Sequence, residues 1–355
     1  FIAARFEKAG LAPNQEEKPY RLIRRLYFDL TGLPPAPEEL EKILNDKREF
    51  DVVYRETVDK LMKSDAYAEQ WTRHWLDVAR YADTHGYQLD NYRSIWPYRD
   101  WVINAFKENM PFDQFTRDQI AGDMMPSATT DQVIATGFNR CLPTNEEGGS
   151  IEEEYHVIYA QERVNTTSTV WLGLTAGCAA CHDHKFDAIS TKENYQLTAF
   201  FRNTPMTALD KHAEDHPPNV RIMTDADRAK SQKLSKEISP LDKQLTEYRK
   251  KNDSVFKKWR NKNQKSVQLP AGKDVKAITK ILKVAKPSNK QMNQLRDYYF
   301  AKIDNEGAKL TKKLATLKKE LKEINGRSPT TLVMKENEDK EAHAHILSRG
   351  DYSAR

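Results

Sequence analysis

Leu234-Ser235-Lys236-Glu237-Ile238-Ser239-Pro240-Leu241-Asp242-Lys243-Gln244-Leu245-Thr246-Glu247-Tyr248 sets apolar residues at Leu234, Ile238, Leu241, Leu245 and Tyr248, in alternating steps of four and three. That spacing returns the same face of an α-helix every two turns, so the segment reads as an amphipathic helix with a heptad seam. A second seam of equal length runs through Leu310, Leu314, Leu317, Leu321 and Ile324. Two matched seams predict a long antiparallel coiled-coil hairpin, because each supplies the apolar stripe that the other needs to bury. Pro240 should kink or interrupt the first seam, since proline carries no amide donor for a helix interior. Asn252 to Asn293, with turn signals at Pro270-Ala271-Gly272 and Pro287-Ser288, then forms the far end of a protruding arm.

On the N-terminal side, residues up to about Pro205 are rich in Trp, Tyr and Phe and read as helices parted by proline-marked turns. Lys18 to Leu30 carries Leu22, Leu26 and Leu30 at helical intervals and stops at Gly32-Leu33-Pro34-Pro35. Ala66 to Asp83 sets Trp71, Trp75, Val78 and Ala82 on one stripe and ends near His85-Gly86, which predicts a core helix. Ile151 to Leu174 reads as one long helix, or one broken near Asn165-Thr166-Thr167. On the C-terminal side, Val220–Met223, Thr330–Met334 and His345–Leu347 are β-prone and could pair at the base of the arm.

Cys178-Ala179-Ala180-Cys181-His182 carries the chemistry. Two thiols three positions apart can form thioether bonds to the vinyl groups of a haem, and the adjacent imidazole then sits beneath the iron as proximal ligand. Gly173 and Gly177 remove side chains where a flat macrocycle could approach. Two other readings use the same residues. Zinc could recruit Cys178, Cys181 and His184, but the only further thiol is the distant Cys141. A dithiol redox pair needs only the two cysteines, yet no strand–helix pattern of thioredoxin type leads into them.

Composition bounds the partners. The net charge is +5, from lysines scattered mainly between Lys230 and Lys322; they read as alternating with Glu on a solvated helical surface, which assigns nucleic acid no role. No apolar run is long enough to cross a bilayer. Covalent haem implies attachment in an exported compartment, so a periplasmic or extracellular location is expected, and the start at Phe1 without a cleavage signal suggests a processed or excised piece.

Three segments together resemble a known family: Leu22-Ile23-Arg24-Arg25-Leu26-Tyr27-Phe28-Asp29-Leu30-Thr31-Gly32-Leu33-Pro34, His74-Trp75-Leu76-Asp77-Val78-Ala79-Arg80-Tyr81-Ala82-Asp83, and Cys178 through Asp187. They are similar to the large domain of Planctomycete-type cytochrome C domain-containing proteins, over nearly the whole chain. The resemblance implies export, a redox role and flanking modules, one of them a small cytochrome c. It also implies an association with sulfatases and polysaccharide-degrading enzymes. Ala188 stands where such sequences often have proline.

The fold expected is mainly α: a helical c-type haem domain over residues 1–224, an antiparallel coiled-coil hairpin insertion over 225–327, and a short β-containing return segment over 328–355. One haem c per chain is expected on Cys178, Cys181 and His182. His85 is the leading candidate for a distal ligand, with His74, His156 or a methionine behind it, or an open iron face. His184, Arg80, Asp83 and Asp187 could serve propionates or a polar pocket, and the odd thiol Cys141 is either a small buried side chain or part of that pocket. Three functions fit: electron transfer with a redox partner or adjoining cytochrome module, a haem-dependent oxidoreductase with an open distal site, which the resemblance would link to polysaccharide breakdown, and an assembly domain forming homo- or hetero-oligomers through the arm.

Overall fold

A computed structural model describes residues 1–87, 89–208, 216–270, 272 and 274–355. The chain is mainly helical, with 63% helix in fifteen helices and one two-stranded sheet among the described residues. It divides into two compact units, one of residues 1–220 with 330–355 and one of residues 221–329. The return segment thus belongs to the first unit.

In that unit α1 (Ile2–Lys8) precedes α2 (Pro19–Thr31), which begins on proline, where no amide is missed, and ends at Gly32 with φ 69°. α3 (Pro37–Leu44) and α4 (Phe50–Met62) close a small core on it, where Leu61 meets Ile23, Leu26 and Tyr27. α5 (Asp65–Ala79) is capped by the Ser64 hydroxyl and stops at Arg80, earlier than the His85-Gly86 end expected from sequence. Its buried face is also different: Ala68, Thr72 and Ala79 are buried, whereas Trp71 and Val78 are exposed. Small residues occupy the inner side because neighbouring helices approach closely there. Trp75 is shared between both readings, its indole donating to Gln119 Oε1 at 2.9 Å.

α6 (Trp96–Lys107) and α7 (Phe112–Ala121) bring rings around that indole, and α8 (Thr130–Ala135) packs on both of them. Trp75 meets Phe115 edge-on at 4.7 Å and Trp171 at 5.5 Å, and Trp101 stacks on Phe115 at 5.4 Å. α9 (Glu152–Thr167) and α10 (Thr191–Arg202) complete the unit's helices. The sheet pairs β1 (Asn219–Arg221) with β2 (Thr330–Leu332). His345–Leu347 is not a strand: Leu347 is buried as an irregular segment without a ladder partner.

The second unit opens with α11 (Asp225–Lys251), which continues through the exposed Pro240. It packs against α15 (Asn305–Arg327), burying Leu241, Leu245, Leu310 and Leu314 together. The two helices run in opposite directions, since Asp227 pairs with Arg327 while Asp242 pairs with Lys318 at 2.7 Å. Residues between them form more than a hairpin end. α12 (Asp253–Lys265), α13 (Val275–Leu282) and α14 (Asn289–Lys302) build a separate core from Phe256, Ile278, Leu282, Leu295, Tyr298, Tyr299 and Phe300. Ala271, part of the expected turn, lies outside the described residues.

Truncating Leu314 to Ala removes a buried member of the α11–α15 seam and should cost about 2–4 kcal/mol in urea unfolding of the second unit. A loss below about 0.5 kcal/mol, the range of an ordinary surface change, would contradict this packing.

Candidate functional site

α9 runs directly into a π-helical turn, Ser168–Leu172, which ends at Gly173 with φ 65°. A 3₁₀ helix, Ala176–Ala180, follows and delivers the Cys-x-x-Cys-His motif. Ala176 and Ala179 are fully buried and anchor the turn, leaving Cys178, Cys181 and His182 facing solvent with both thiols free. Gly177 does not open space for a macrocycle. A Cβ there would stand 2.8 Å from Asn165 Oδ1, so α9 fills the gap; Gly173 has open surroundings.

The motif is held from several sides. Tyr195 on α10 donates its hydroxyl proton to the Ala180 carbonyl at 2.9 Å. Cys181 Sγ donates to the Arg349 carbonyl at 3.2 Å, where Gly350 with φ 75° lets the chain pass close to the sulfur. His182 Nδ1 lies 2.8 Å from the Asp183 carbonyl. A carbonyl only accepts, so Nδ1 carries the proton and the ring's lone pair is left on Nε2, the arrangement usual for a metal-ligating histidine.

His184 is turned the other way. Its Nδ1 accepts amide protons from Asp187 at 2.8 Å and Phe186 at 3.3 Å, and its side chain is only 6% exposed. The Asp187 carboxylate also stands 3.3 Å from that nitrogen, a contact that turns attractive when the ring is protonated. His184 therefore shapes the loop that follows the motif, with its own amide bonded to the Ile189 carbonyl at 2.8 Å. Among the described residues no three His, Cys, Asp or Glu side chains converge as a metal-ion site, so the zinc grouping is not assembled.

The remaining predicted residues gather elsewhere in the first unit. Arg80, in the left-handed region at the end of α5, pairs with Glu162 on α9 at 2.7 Å and donates to the Thr166 hydroxyl. Asp83 is exposed and accepts the Tyr81 hydroxyl proton at 2.6 Å. His85 is buried, with its Nδ1 against the Thr144 hydroxyl. His74 is exposed beside Trp71, and His156, half-buried near Glu152, has its pKa lowered by burial.

Between these residues lies a group that sequence reading missed. Arg93, 1% exposed, donates to the carbonyls of Ala82, Arg140, Cys141 and Leu142 at 2.8–3.2 Å. Arg140 grips the carbonyls of Pro218, Val333 and His216, and Arg163 those of Asn139 and Phe201. Burial lowers the Arg163 pKa to about 10. Cys141, above Arg93, is buried, and burial pushes its thiol up to about 12. Its environment suits a neutral packing side chain.

Residues 1–206 match the family described as PSCyt2, protein of unknown function (DUF1549). The chain belongs to this family. It is the planctomycete cytochrome-type domain family that the segments beginning at Leu22, His74 and Cys178 resemble. The match includes the Cys178–His182 motif but stops at residue 206, short of the nearly complete coverage expected, and leaves the second unit outside it. No curated protein and no solved structure matches the chain.

Alkylation of the native, haem-free chain with iodoacetamide at pH 8 should modify Cys178 and Cys181 and spare Cys141 until denaturant is added. Modification of all three at one rate would refute the burial of Cys141. Because the folded Cys141 thiol titrates near 12 against an ordinary 9.0, the folded state holds its proton longer. Stability should therefore fall as pH rises above 9, by at most about 1.4 kcal/mol per pH unit from this group, and Cys141→Ala should remove that component of the slope.

Proposed function

We propose that the chain is an exported c-type haem protein whose redox role is electron transfer. One haem c is held covalently by Cys178 and Cys181 and ligated by His182. The observation that carries this reading is the exposed pair of thiols, in no disulfide, beside an imidazole whose Nδ1 is tied to the Asp183 carbonyl, which leaves Nε2 free to hold a metal. The donor set, two reachable thiols and one imidazole, would fit the group. Bound there, the haem supplies a one-electron iron couple.

In this reading Cys178 and Cys181 fix the macrocycle in place, and the Asp183 carbonyl fixes the ring plane of His182 and raises its basicity as a ligand. The buried Ala176 and Ala179 and the Tyr195 hydroxyl keep the motif's backbone from shifting. The first unit is then a haem-binding domain that exchanges electrons with a partner protein or an adjoining cytochrome module, and α11 with α15 is a coiled-coil hairpin. The leucines of that pair are already buried on each other, so association with a partner falls to its outer, charged surface. Haem attachment to such a motif takes place after export, which puts the mature protein in the periplasm or outside the cell.

Material matured in an exporting host with haem-attachment machinery should give a pyridine haemochrome of c type and a denatured mass increased by one haem. Replacing both Cys178 and Cys181 with Ala should abolish the added mass, whereas His182→Ala should keep it and change the iron's spin state. An unmodified mass in the wild-type chain would end the reading. A six-coordinate spectrum indifferent to cyanide is expected for electron transfer; rapid cyanide binding would favour an oxidoreductase with an open iron face instead.

A further inference from the structure

The net charge of +5 conceals two opposed parts. Residues 221–329 hold 29 Lys and Arg against 12 Asp and Glu, a net charge of +17, while the first unit holds 28 against 40, a net charge of −12. The lysines therefore do not alternate with glutamates as the sequence reading supposed. Residues 252–290 alone hold eleven Lys and Arg against two Asp.

Local pairing does not absorb this charge. The carboxylates are taken up along the α11–α15 seam by Asp242–Lys318 and Lys230–Glu320, and near α12 by Asp253 with Arg296 and Lys257. Lys258, Lys262, Lys276, Lys280, Lys283 and Lys286 remain exposed and outside any ion pair among the described residues. Such like charges repel within a Debye length of about 8 Å at physiological salt. A polyanion that replaces their counterions relieves this repulsion, with an affinity that falls steeply with salt.

A cavity of ≈ 470 Å³ in the same unit is lined by Thr246, Arg249, Lys250, Asp253 and Arg296. Arg249 is held by Asp297 at 2.8 Å and by the face of Phe300, yet its Nε is buried with no acceptor. An anionic group in the cavity would face Arg249, Lys250 and Arg296, two of them already paired with Asp297 and Asp253.

The surface chemistry selects among polyanions. The aromatic rings of this unit are packed in its core, with Phe256 and Phe300 fully buried, Tyr298 and Tyr299 nearly so and Tyr248 and Trp259 partly buried against them, which leaves no exposed ring to stack on an unpaired base. Val255 is the one large apolar side chain it leaves exposed among the described residues, so there is no wedge for a lipid interface. For an exported protein, the reading proposed above and the one this choice rests on, the remaining extended polyanion is a glycan.

We infer that residues 221–329 bind an acidic polysaccharide, one bearing sulfate or carboxylate groups, through the lysines of α12 and α13 and the Arg249–Arg296 cavity.

The test uses the full haem-free chain and three polymers: dextran sulfate, polygalacturonate and neutral dextran, titrated by calorimetry at low and high NaCl. Binding to at least one acidic polymer but not to neutral dextran is expected, and the stronger of the two identifies the anionic group. A variant carrying Lys258→Gln, Lys262→Gln, Lys280→Gln and Lys283→Gln, with circular dichroism unchanged, should bind at least tenfold more weakly and show a shallower salt dependence. Absence of binding to both acidic polymers, or undiminished binding by the variant, overturns the inference. So does tighter binding to duplex DNA or anionic vesicles, or self-association of the chain that accounts for the signal. Because no haem takes part, failure here leaves the electron-transfer reading intact, and failure of haem attachment leaves the calorimetry to be judged by itself.

Discussion

A buried guanidinium has five donors that burial cuts off from water, and three such groups, each donating to backbone carbonyls, govern how the first unit is put together. Arg140 collects the carbonyls of His216, Pro218 and Val333, so it joins the approach to β1 to the strand that returns after the second unit. Arg93 collects the carbonyls around Cys141 and ties them to the end of the α5 segment at Ala82. Arg163 ties α9 to Asn139 and to the end of α10 at Phe201. Backbone that would otherwise be buried without partners in irregular segments is satisfied by side chains, and the irregular segments are thereby fixed.

The motif depends on this scaffold at one remove. α9 is positioned by Arg163 and by the Arg80–Glu162 pair, and its continuation through the π-helical turn sets where the 3₁₀ helix begins. Asn165 packs into the space that Gly177 leaves. The result is a division of labour within seven residues, 176–182: Ala176 and Ala179 are buried and hold, while two cysteines and a histidine are exposed and available. His182 and His184, two positions apart, differ because one meets a carbonyl and the other meets amides, so their free ring nitrogens have opposite character.

Much of this was legible in the linear chain. The stop at Gly32-Leu33-Pro34-Pro35 delimited the end of α2, the four–three spacing identified the leucines that α11 and α15 bury, and the thiol–thiol–imidazole spacing marked the candidate site. The errors share a cause. On α5 the large residues Trp71 and Val78 seemed to define the inner face, but close helix approach reserves that face for Ala68, Thr72 and Ala79. The stretch between the two seams read only as the far end of a hairpin, yet Phe256, Tyr298, Tyr299 and Phe300 converge there from positions more than forty residues apart.

Local periodicity and covalent spacing determined the helical class, the end of α2 and the chemistry that Cys178, Cys181 and His182 can offer, because those properties reside in residues a few positions apart. Only the tertiary structure decided that Arg93, Arg140 and Arg163 are interior, that Cys141 is a neutral packing thiol, and which nitrogen His182 leaves free. Burial and hydrogen-bond partners are set by segments distant in the chain, and an arginine written in a sequence looks the same whether water or a ring of carbonyls surrounds it.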